Sequence, residues 1–334
     1  MTMNRQRRAQ RRTAIGALGI ALGAAALVAM GPLHAQVGDR AVRFILPVAT
    51  ASGVDTITRA ASPALSRALG HPVVVDNQPG AGGIVGTSAL VKSAPDGFTL
   101  SVVSNNHVIY PSVYKSLPFD PIADITPIAI IGSTPIVLVV NAAKVPAKNV
   151  QELVALLRAK PGAYNYGSSG NGTILHLAAE MFMDEAGVKA THVPYKGVGP
   201  MLTDLIGGQV EIGALSLPSI QQHLKSGALR AIGVGTAARL AAAPQIPTMV
   251  EQGMPGYLVE GWFAMIGPAR LPAAEVNRIN AAVAAAFATP EVKEAMAKQG
   301  NTINVSTPEY AAQFFPRELA KYAAAVKKAG VELQ

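Results

Sequence analysis

The sequence contains no cysteine, which excludes disulfide bonds, thiolate metal sites and lipid attachment through a cysteine at a processed N-terminus. Histidine is also sparse, since the chain has 6 and no two of them stand four residues apart. A helix that presents paired histidines to a metal ion is therefore not expected, and we predict no metal site and no cofactor.

One long apolar run is present, and it lies near the N-terminus. An uncharged stretch over residues 15–30 follows a basic head, and Ala35 supplies a small residue at a cleavage position. The basic head consists of Arg5, Arg7, Arg8, Arg11 and Arg12. We expect residues 1–35 to be a signal peptide that directs export to a Gram-negative periplasm. A retained membrane anchor is the alternative, and the arginine pair leaves both twin-arginine and ordinary secretory export open.

The positive charge of the chain belongs mostly to this leader. The full sequence has 28 basic and 20 acidic side chains, a formal net charge of +8, and loss of the five leader arginines leaves about +3. No basic face indicates a nucleic-acid partner. At 334 residues, half of them hydrophobic, the chain is long enough for two domains.

Short apolar strands alternate with helices along the rest of the chain, which predicts an α/β fold with parallel strands and helices on the sheet faces. Strands are predicted at 42–47, 73–75, 98–104, 164–166, 191–195, 210–214 and 229–234. Helices are predicted at 56–69, 84–92 and 173–186. The order strand, loop of small residues, helix occurs in both halves, with loops at 49–55 and 167–173.

Two stretches are predicted to carry the chain between two lobes, a strand at 136–140 and a late strand near Trp262, which we expect in the core at the hinge. The expected division is lobe 1 at 37–137 plus 262–334, and lobe 2 at 138–261. Two breaks are also predicted. The apolar region 128–140 is interrupted at 132–135, and Pro316 should break or restart the C-terminal helical region.

The loop 167–173 combines glycines with small hydroxyl residues before a helix, so it leaves backbone N–H groups free at the positive end of a helix dipole. An ordinary capped turn is the alternative. Because ligands bind beyond the carboxyl ends of strands in open α/β sheets, we expect the loops 49–55 and 167–173 to face one cleft and to bind a small carboxylate. The predicted contacts are Ser168, Ser169, Gly170, Thr173, Ser52, Gly53, Asp55, Asn106, Tyr195 and Lys196.

Several of these residues have a simpler interpretation. Asp55 is a good helix cap, and Asn105 or Asn106 could form a turn at the end of a strand. Lys196 could be an ordinary exposed lysine. The residue types at His176 and His192 favour packing over ligand contact.

No catalytic residue is predicted. Ser169 has Gly167 two residues before it but Asn171 two residues after it, so the G-x-S-x-G nucleophile elbow is absent. A secreted serine hydrolase that uses Ser168 or Ser169 is the alternative function, and a sensor for a signalling kinase is a third.

Six short motifs occur in an order that resembles the solute-binding proteins of tripartite tricarboxylate transporters, the Bug family. They are 79–83 (PGAGG), 94–100 (APDGFTL), 166–170 (YGSSG) with 176–178 (HLA), 192–197 (HVPYKG), 207–210 (GGQV) and 247–251 (PTMVE). The resemblance runs from about residue 43 to 331. One departure lies in the first loop, where the family usually has paired glycines before the aspartate and this chain has ATASGVD at 49–55.

This resemblance implies a two-lobed periplasmic binding protein of type II, in which each lobe is a Rossmann-like sheet flanked by helices and two hinge strands join the lobes. It further implies capture of a di- or tricarboxylate, an amino acid or an aromatic acid, delivered to membrane permease subunits. We expect a monomer.

Overall fold

The computed structural model describes residues 40–331 and residue 333. The predicted signal peptide, residues 1–35, lies outside the described residues. Among the residues that are described, no helix combines the length and the apolar character needed to span a membrane.

Ten strands and ten α-helices make up the described chain. The strands are β1 (Val42–Leu46), β2 (Val73–Asn77), β3 (Thr99–Ser104), β4 (Ile125–Asn141), β5 (Asn165–Ser168), β6 (Thr191–Pro194), β7 (Ile212–Ser216), β8 (Leu229–Val234), β9 (Glu260–Pro268) and β10 (Thr302–Ile303). The helices are α1 (Gly53–Leu69), α2 (Ile84–Val91), α3 (Asn106–Ile109), α4 (Val150–Ala159), α5 (Ile174–Ala186), α6 (Val198–Gly207), α7 (Leu217–Lys225), α8 (Ala273–Ala288), α9 (Pro290–Lys298) and α10 (Pro308–Lys328).

The strands form a continuous path in the order β2-β1-β3-β9-β4-β7-β5-β6, with β8 and β10 also paired to β4. On one side of this path β1 pairs in parallel with β2 and β3, and on the other β5 pairs in parallel with β6 and β7. The predicted α/β class is therefore confirmed, with parallel units related by the same order of elements. The predicted lobe boundaries at 137/138 and 261/262 stay a prediction.

Strand β4 joins the two sheets. Residues 125–135 pair with β9, and residues 136–141 pair with β7 and β8. The predicted interruption at 132–135 is wrong, because the strand continues through it, with register shifts between Pro127 and Ala129 and between Ile130 and Gly132. Pro135 is tolerated because it lies where the strand leaves one set of partners for the other, so its missing N–H removes little pairing.

The predicted break at Pro316 is also wrong, because α10 runs without interruption from Pro308 to Lys328. A proline inside a helix costs about 3 kcal/mol. Buried side chains on both sides of it offset that cost, above all Phe315, which is fully buried and packs edge-on against Trp262 with ring centroids 5.7 Å apart.

The core contains a buried histidine between the β3 end and α10. His107 is 1% exposed, and its Nε2 lies 2.6 Å from the carbonyl oxygen of Pro121, to which it donates. The ring stacks on Phe119 and meets Phe315 edge-on. Burial lowers the pKa of His107 from 6.5 to about 4, so the folded protein keeps this side chain neutral.

We predict that folding stability falls as the pH drops from about 6.5 to about 4. In this range His107 binds a proton in the unfolded chain but stays neutral in the folded protein. The shift corresponds to about 3 kcal/mol of unfolding free energy, present above pH 6.5 and lost towards pH 4. Urea unfolding of the wild type and of His107→Gln, which keeps a donor for Pro121, measures this loss of unfolding free energy. Equal acid sensitivity in the two proteins would contradict this assignment.

Candidate functional site

A cavity of about 220 Å³ lies at the carboxyl ends of six strands. The loops that follow β1, β2 and β3 line it from one sheet, and those that follow β5, β6 and β7 line it from the other. The lining segments are 47–49, 52–54, 79–83, 104–106, 169–171, 174–175, 195–198 and 216, together with Tyr114, Thr134, Ile136, Gly261 and Trp262. Because parallel strands direct their carboxyl ends to one edge of a sheet, the topology brings together the loops that each sheet contributes.

Most of the residues predicted from the sequence line this cavity. They are Ser52, Gly53, Asn106, Ser169, Gly170, Tyr195 and Lys196. The other three, Asp55, Ser168 and Thr173, lie behind the cavity wall, where they are at most 5% exposed. Whether a ligand touches any of the ten stays a prediction.

The N-terminus of α1 forms one wall. The hydroxyl of Ser52 accepts a hydrogen bond from the N–H of Asp55 at 3.2 Å, which satisfies the third helical position. The N–H groups of Gly53 and Val54, at the first two positions, have no hydrogen-bond partner within the described residues. Both residues line the cavity, so two helix-terminal donors are free at this wall.

The N-terminus of α5 forms a second wall with the same pattern. Thr173 accepts from the N–H of His176, and the side-chain oxygen of Asn106 accepts from the N–H of Ile174 at 2.9 Å. The N–H of Leu175 has no partner within the described residues, and Leu175 lines the cavity. Asn106 begins α3, just after β3, so it ties the first sheet to the helix of the second.

The charges around the cavity favour an anion. Lys196 is exposed and is the one charged side chain among the described residues that line the wall. Helix α6 begins beside it at Val198 without a side-chain cap. Helix dipoles and unpaired N–H groups add further positive potential, so the cavity suits a carboxylate or another small anion.

Asp55 supports the first loop from behind. Its carboxylate accepts hydrogen bonds from the N–H of Ala51 at 3.1 Å, from Arg59 at 2.9 Å and from Asn77 at 3.0 Å. These partners fix the shape of the loop that precedes α1. Asp55 therefore positions the wall and contributes no free charge to the cavity.

Ser168 has a corresponding place behind the second loop. Its side chain is fully buried, and its Oγ lies 2.6 Å from Nε2 of His192 and accepts from the N–H of Gly170 at 3.2 Å. This serine–histidine contact resembles half of a nucleophilic dyad, but the hydroxyl does not reach the cavity.

Tyr195 contributes its ring rather than its hydroxyl. The hydroxyl donates to Asp204 at 2.9 Å, and burial together with Asp204 raises the pKa of Tyr195 to about 12. The tyrosine is therefore a neutral, fixed part of the wall.

Sequence reasoning missed two groups of wall residues. The glycine loop 79–83 follows β2 and Ser216 ends β7, so the strand-end rule would have found them. Thr134, Ile136 and Trp262 lie on the strands that join the sheets, and no local motif marks them. Trp262 is held there by two hydrogen bonds, from its N–H to Asn105 at 2.8 Å and from its indole to Glu318 at 2.9 Å.

Two α/β sheets joined by a shared strand, with a cavity at their strand ends, define the class of the two-lobed periplasmic solute-binding proteins. Residues 57–331 match the family model described as "Tripartite tricarboxylate transporter family receptor". The chain belongs to this family, and the resemblance drawn from its motifs is confirmed.

Known relatives share nearly the full length of the chain. BugT of Bordetella pertussis is 32% identical over 323 residues, which cover 96% of this chain and 98% of that protein. An adipate-bound protein of R. palustris is 30% identical with a TM-score of 0.85, and covers 88% of this chain and 99% of its own. MatC from Rhodopseudomonas palustris, solved with bound malate, is 26% identical with a TM-score of 0.81, and covers 89% of this chain and 100% of its own.

Proposed function

We propose that this protein is a periplasmic receptor that binds a small carboxylate in the cavity and delivers it to the membrane permease subunits of a tripartite tricarboxylate transporter. The observation that carries the proposal is the pair of helix N-termini, α1 and α5, whose unpaired N–H groups face one cavity from two sheets. In this proposal residues 1–35 are the export signal, and the mature chain acts without a cofactor or catalysis.

The relatives support a carboxylate as the ligand. Malate and adipate occupy two proteins of the same fold. Both are small acids whose carboxylates can accept hydrogen bonds from backbone N–H groups. A hydrogen bond to a charged group contributes about 1.5–3 kcal/mol, so three or four of them give micromolar affinity after the cost of association.

We further propose that the two lobes, 37–137 with 262–334 and 138–261, close on the ligand by bending at β4 and at the start of β9. Contacts between the strand-end loops support this proposal. The hydroxyl of Ser219 donates to the carbonyl of Ala51 at 2.9 Å, and Asn106 accepts from Ile174 as described above. Such contacts would seal the cavity, exclude water and strengthen each charged hydrogen bond.

The serine hydrolase alternative has one observation in its favour, the contact between Ser168 and His192. The buried position of Ser168 and its hydrogen bond with Gly170 indicate a role in shaping the loop instead. Turnover of a model ester that disappears in Ser168→Ala would reverse this preference.

We predict that at least one di- or tricarboxylate, amino acid or aromatic acid stabilises the refolded protein in a thermal-shift screen, because a ligand of the folded state raises its stability. Trp262 is the single tryptophan and lines the cavity, so its fluorescence should change with the same ligand. Stabilisation by neutral sugars or cations alone, with no response to any acid, would overturn the proposed function.

A second prediction concerns closure. A methyl group at Gly53 would lie 2.7 Å from Oγ of Ser216, the last residue of β7. In the open state that this proposal assigns to the free protein the contact is absent, and alanine suits the first turn of a helix. The unfolding temperature of Gly53→Ala without ligand should therefore not fall, whereas affinity should drop about tenfold. Adding Ser216→Gly, which keeps an accepted helix-cap residue, should restore affinity. Unchanged affinity in the single variant, or no recovery in the double variant, would contradict closure at this contact.

A further inference from the structure

Two histidines stack behind the loop 168–173, which we call the anion loop. The rings of His176 and His192 are nearly parallel, with centroids 3.9 Å apart and planes inclined by 8°. The ring of Tyr166 is nearly parallel to both, with its centroid 4.9 Å from that of His192 and 6.1 Å from that of His176. Neither imidazole lines the cavity, but each makes a hydrogen bond with the anion loop, His176 with Gly172 and His192 with Ser168.

His176 holds the anion loop through a hydrogen bond that depends on its protonation state. Its Nδ1 accepts from the N–H of Gly172 at 3.0 Å. A nitrogen that accepts carries no proton, so the neutral ring has its proton on Nε2, which lies 3.7 Å from the carboxylate of Glu180. A second proton would turn Nδ1 into a donor that faces another donor.

His192 tolerates a proton in a way that His176 does not. Its Nε2 lies 2.6 Å from Oγ of Ser168, and a serine hydroxyl can donate or accept. If His192 donates, Ser168 can turn its own proton to the carbonyl of Gly170, which is 3.1 Å away. The amide of Gly172 has no such freedom.

We propose that His176 is a positioning residue whose neutral imidazole keeps the anion loop in its binding shape, so that protonation of His176 weakens binding of the carboxylate. The inference rests on the proposed function, because it concerns the affinity of the same cavity. The residue that His176 contacts, Gly172, is adjacent in sequence to the cavity wall. Gly170 and Asn171 line the cavity, and Gly172 follows them directly.

The titratable groups around His176 lie on its own helix and on two strands. On its own helix it faces Glu180, on β6 it faces His192, and on β5 Tyr166 donates its hydroxyl to Glu180. Burial raises the pKa of Glu180, but its contacts with His176 and Tyr166 outweigh burial and the net shift is downward, which keeps the carboxylate ionised. Burial first, and then the charge of His176, lower the pKa of His192 to about 4.

The test is the pH profile of affinity, measured by Trp262 fluorescence from about pH 7.5 to about pH 5 with a carboxylate found in the thermal-shift screen. We expect wild-type affinity to fall by about tenfold or more over this range. His176→Asn keeps an oxygen acceptor for Gly172 but cannot titrate, so it should bind with a nearly flat profile. His176→Leu leaves the Gly172 N–H unpaired, and its affinity should be about tenfold lower at every pH.

His71→Asn is the matched control, because His71 packs against Phe98 before β2 and touches no part of the anion loop. It should keep the wild-type profile. Any ionisation of the ligand itself affects all variants alike, so the comparison with His176→Asn isolates the histidine. A wild-type profile as flat as that of His176→Asn, or equal acid sensitivity in both, would overturn the inference.

The failure of this inference differs from failure of the proposed function. If no carboxylate binds at about pH 7.5, the function is wrong. If one binds with an affinity that ignores His176, only the inference is wrong. Should His176→Leu not fold, the backbone amide resonance of Gly172 in the wild-type protein provides a second measurement. It should shift on acidification with the same midpoint as affinity, and an unmoved resonance would contradict the proposal.

Discussion

The structure depends on one constraint, that the first backbone N–H groups of a helix need acceptors that the helix cannot supply. Helices α1 and α5 each begin at the carboxyl end of a parallel strand, and the two sheets bring these ends to one cavity. Side chains satisfy the third position of each helix, through Ser52 and Thr173, and the first position of α5, through Asn106. The backbone N–H groups that remain unpaired favour the binding of an anion.

Each of the two loops is shaped by a side chain that does not line the cavity. Asp55 accepts the N–H of Ala51 behind the first loop, and His176 accepts the N–H of Gly172 behind the second. The wall therefore has two layers, one that would contact the ligand through backbone groups and one that fixes the backbone. Because the layer that fixes the backbone contains ionisable side chains, the affinity of a site built from backbone groups can still depend on pH.

The sequence predicts the strand-end loops well because their chemistry is local. Glycine, serine and threonine before an amphipathic helix indicate free N–H groups wherever they occur, and Gly53 and Gly170 indeed line one cavity. Asp55, Ser168 and Thr173 were assigned to the same surface because spacing does not reveal whether a polar side chain faces outward or back into the loop. That distinction depends on partners distant in sequence, such as Asn77 and His192.

The connection between the sheets is where sequence reasoning has least to use. Gly132 to Pro135 predicts an interruption, yet pairing with β9 and then with β7 extends the strand across it. Pro316 predicts a break, yet the packing of Phe315 under Trp262 retains the helix. In both places tertiary contacts outweigh a local preference of a few kcal/mol. Trp262 joins the cavity wall for the same reason, since only the assembled strands place it there.

The central claim is that amides from both helices bind one anion, and amide NMR tests it most directly. When a carboxylate that binds the protein is titrated in, the N–H resonances of Val54 in α1 and Leu175 in α5 should move downfield together, with a single midpoint. Movement of one resonance alone, or two different midpoints, would show that the two helix ends do not share a ligand and would contradict the account.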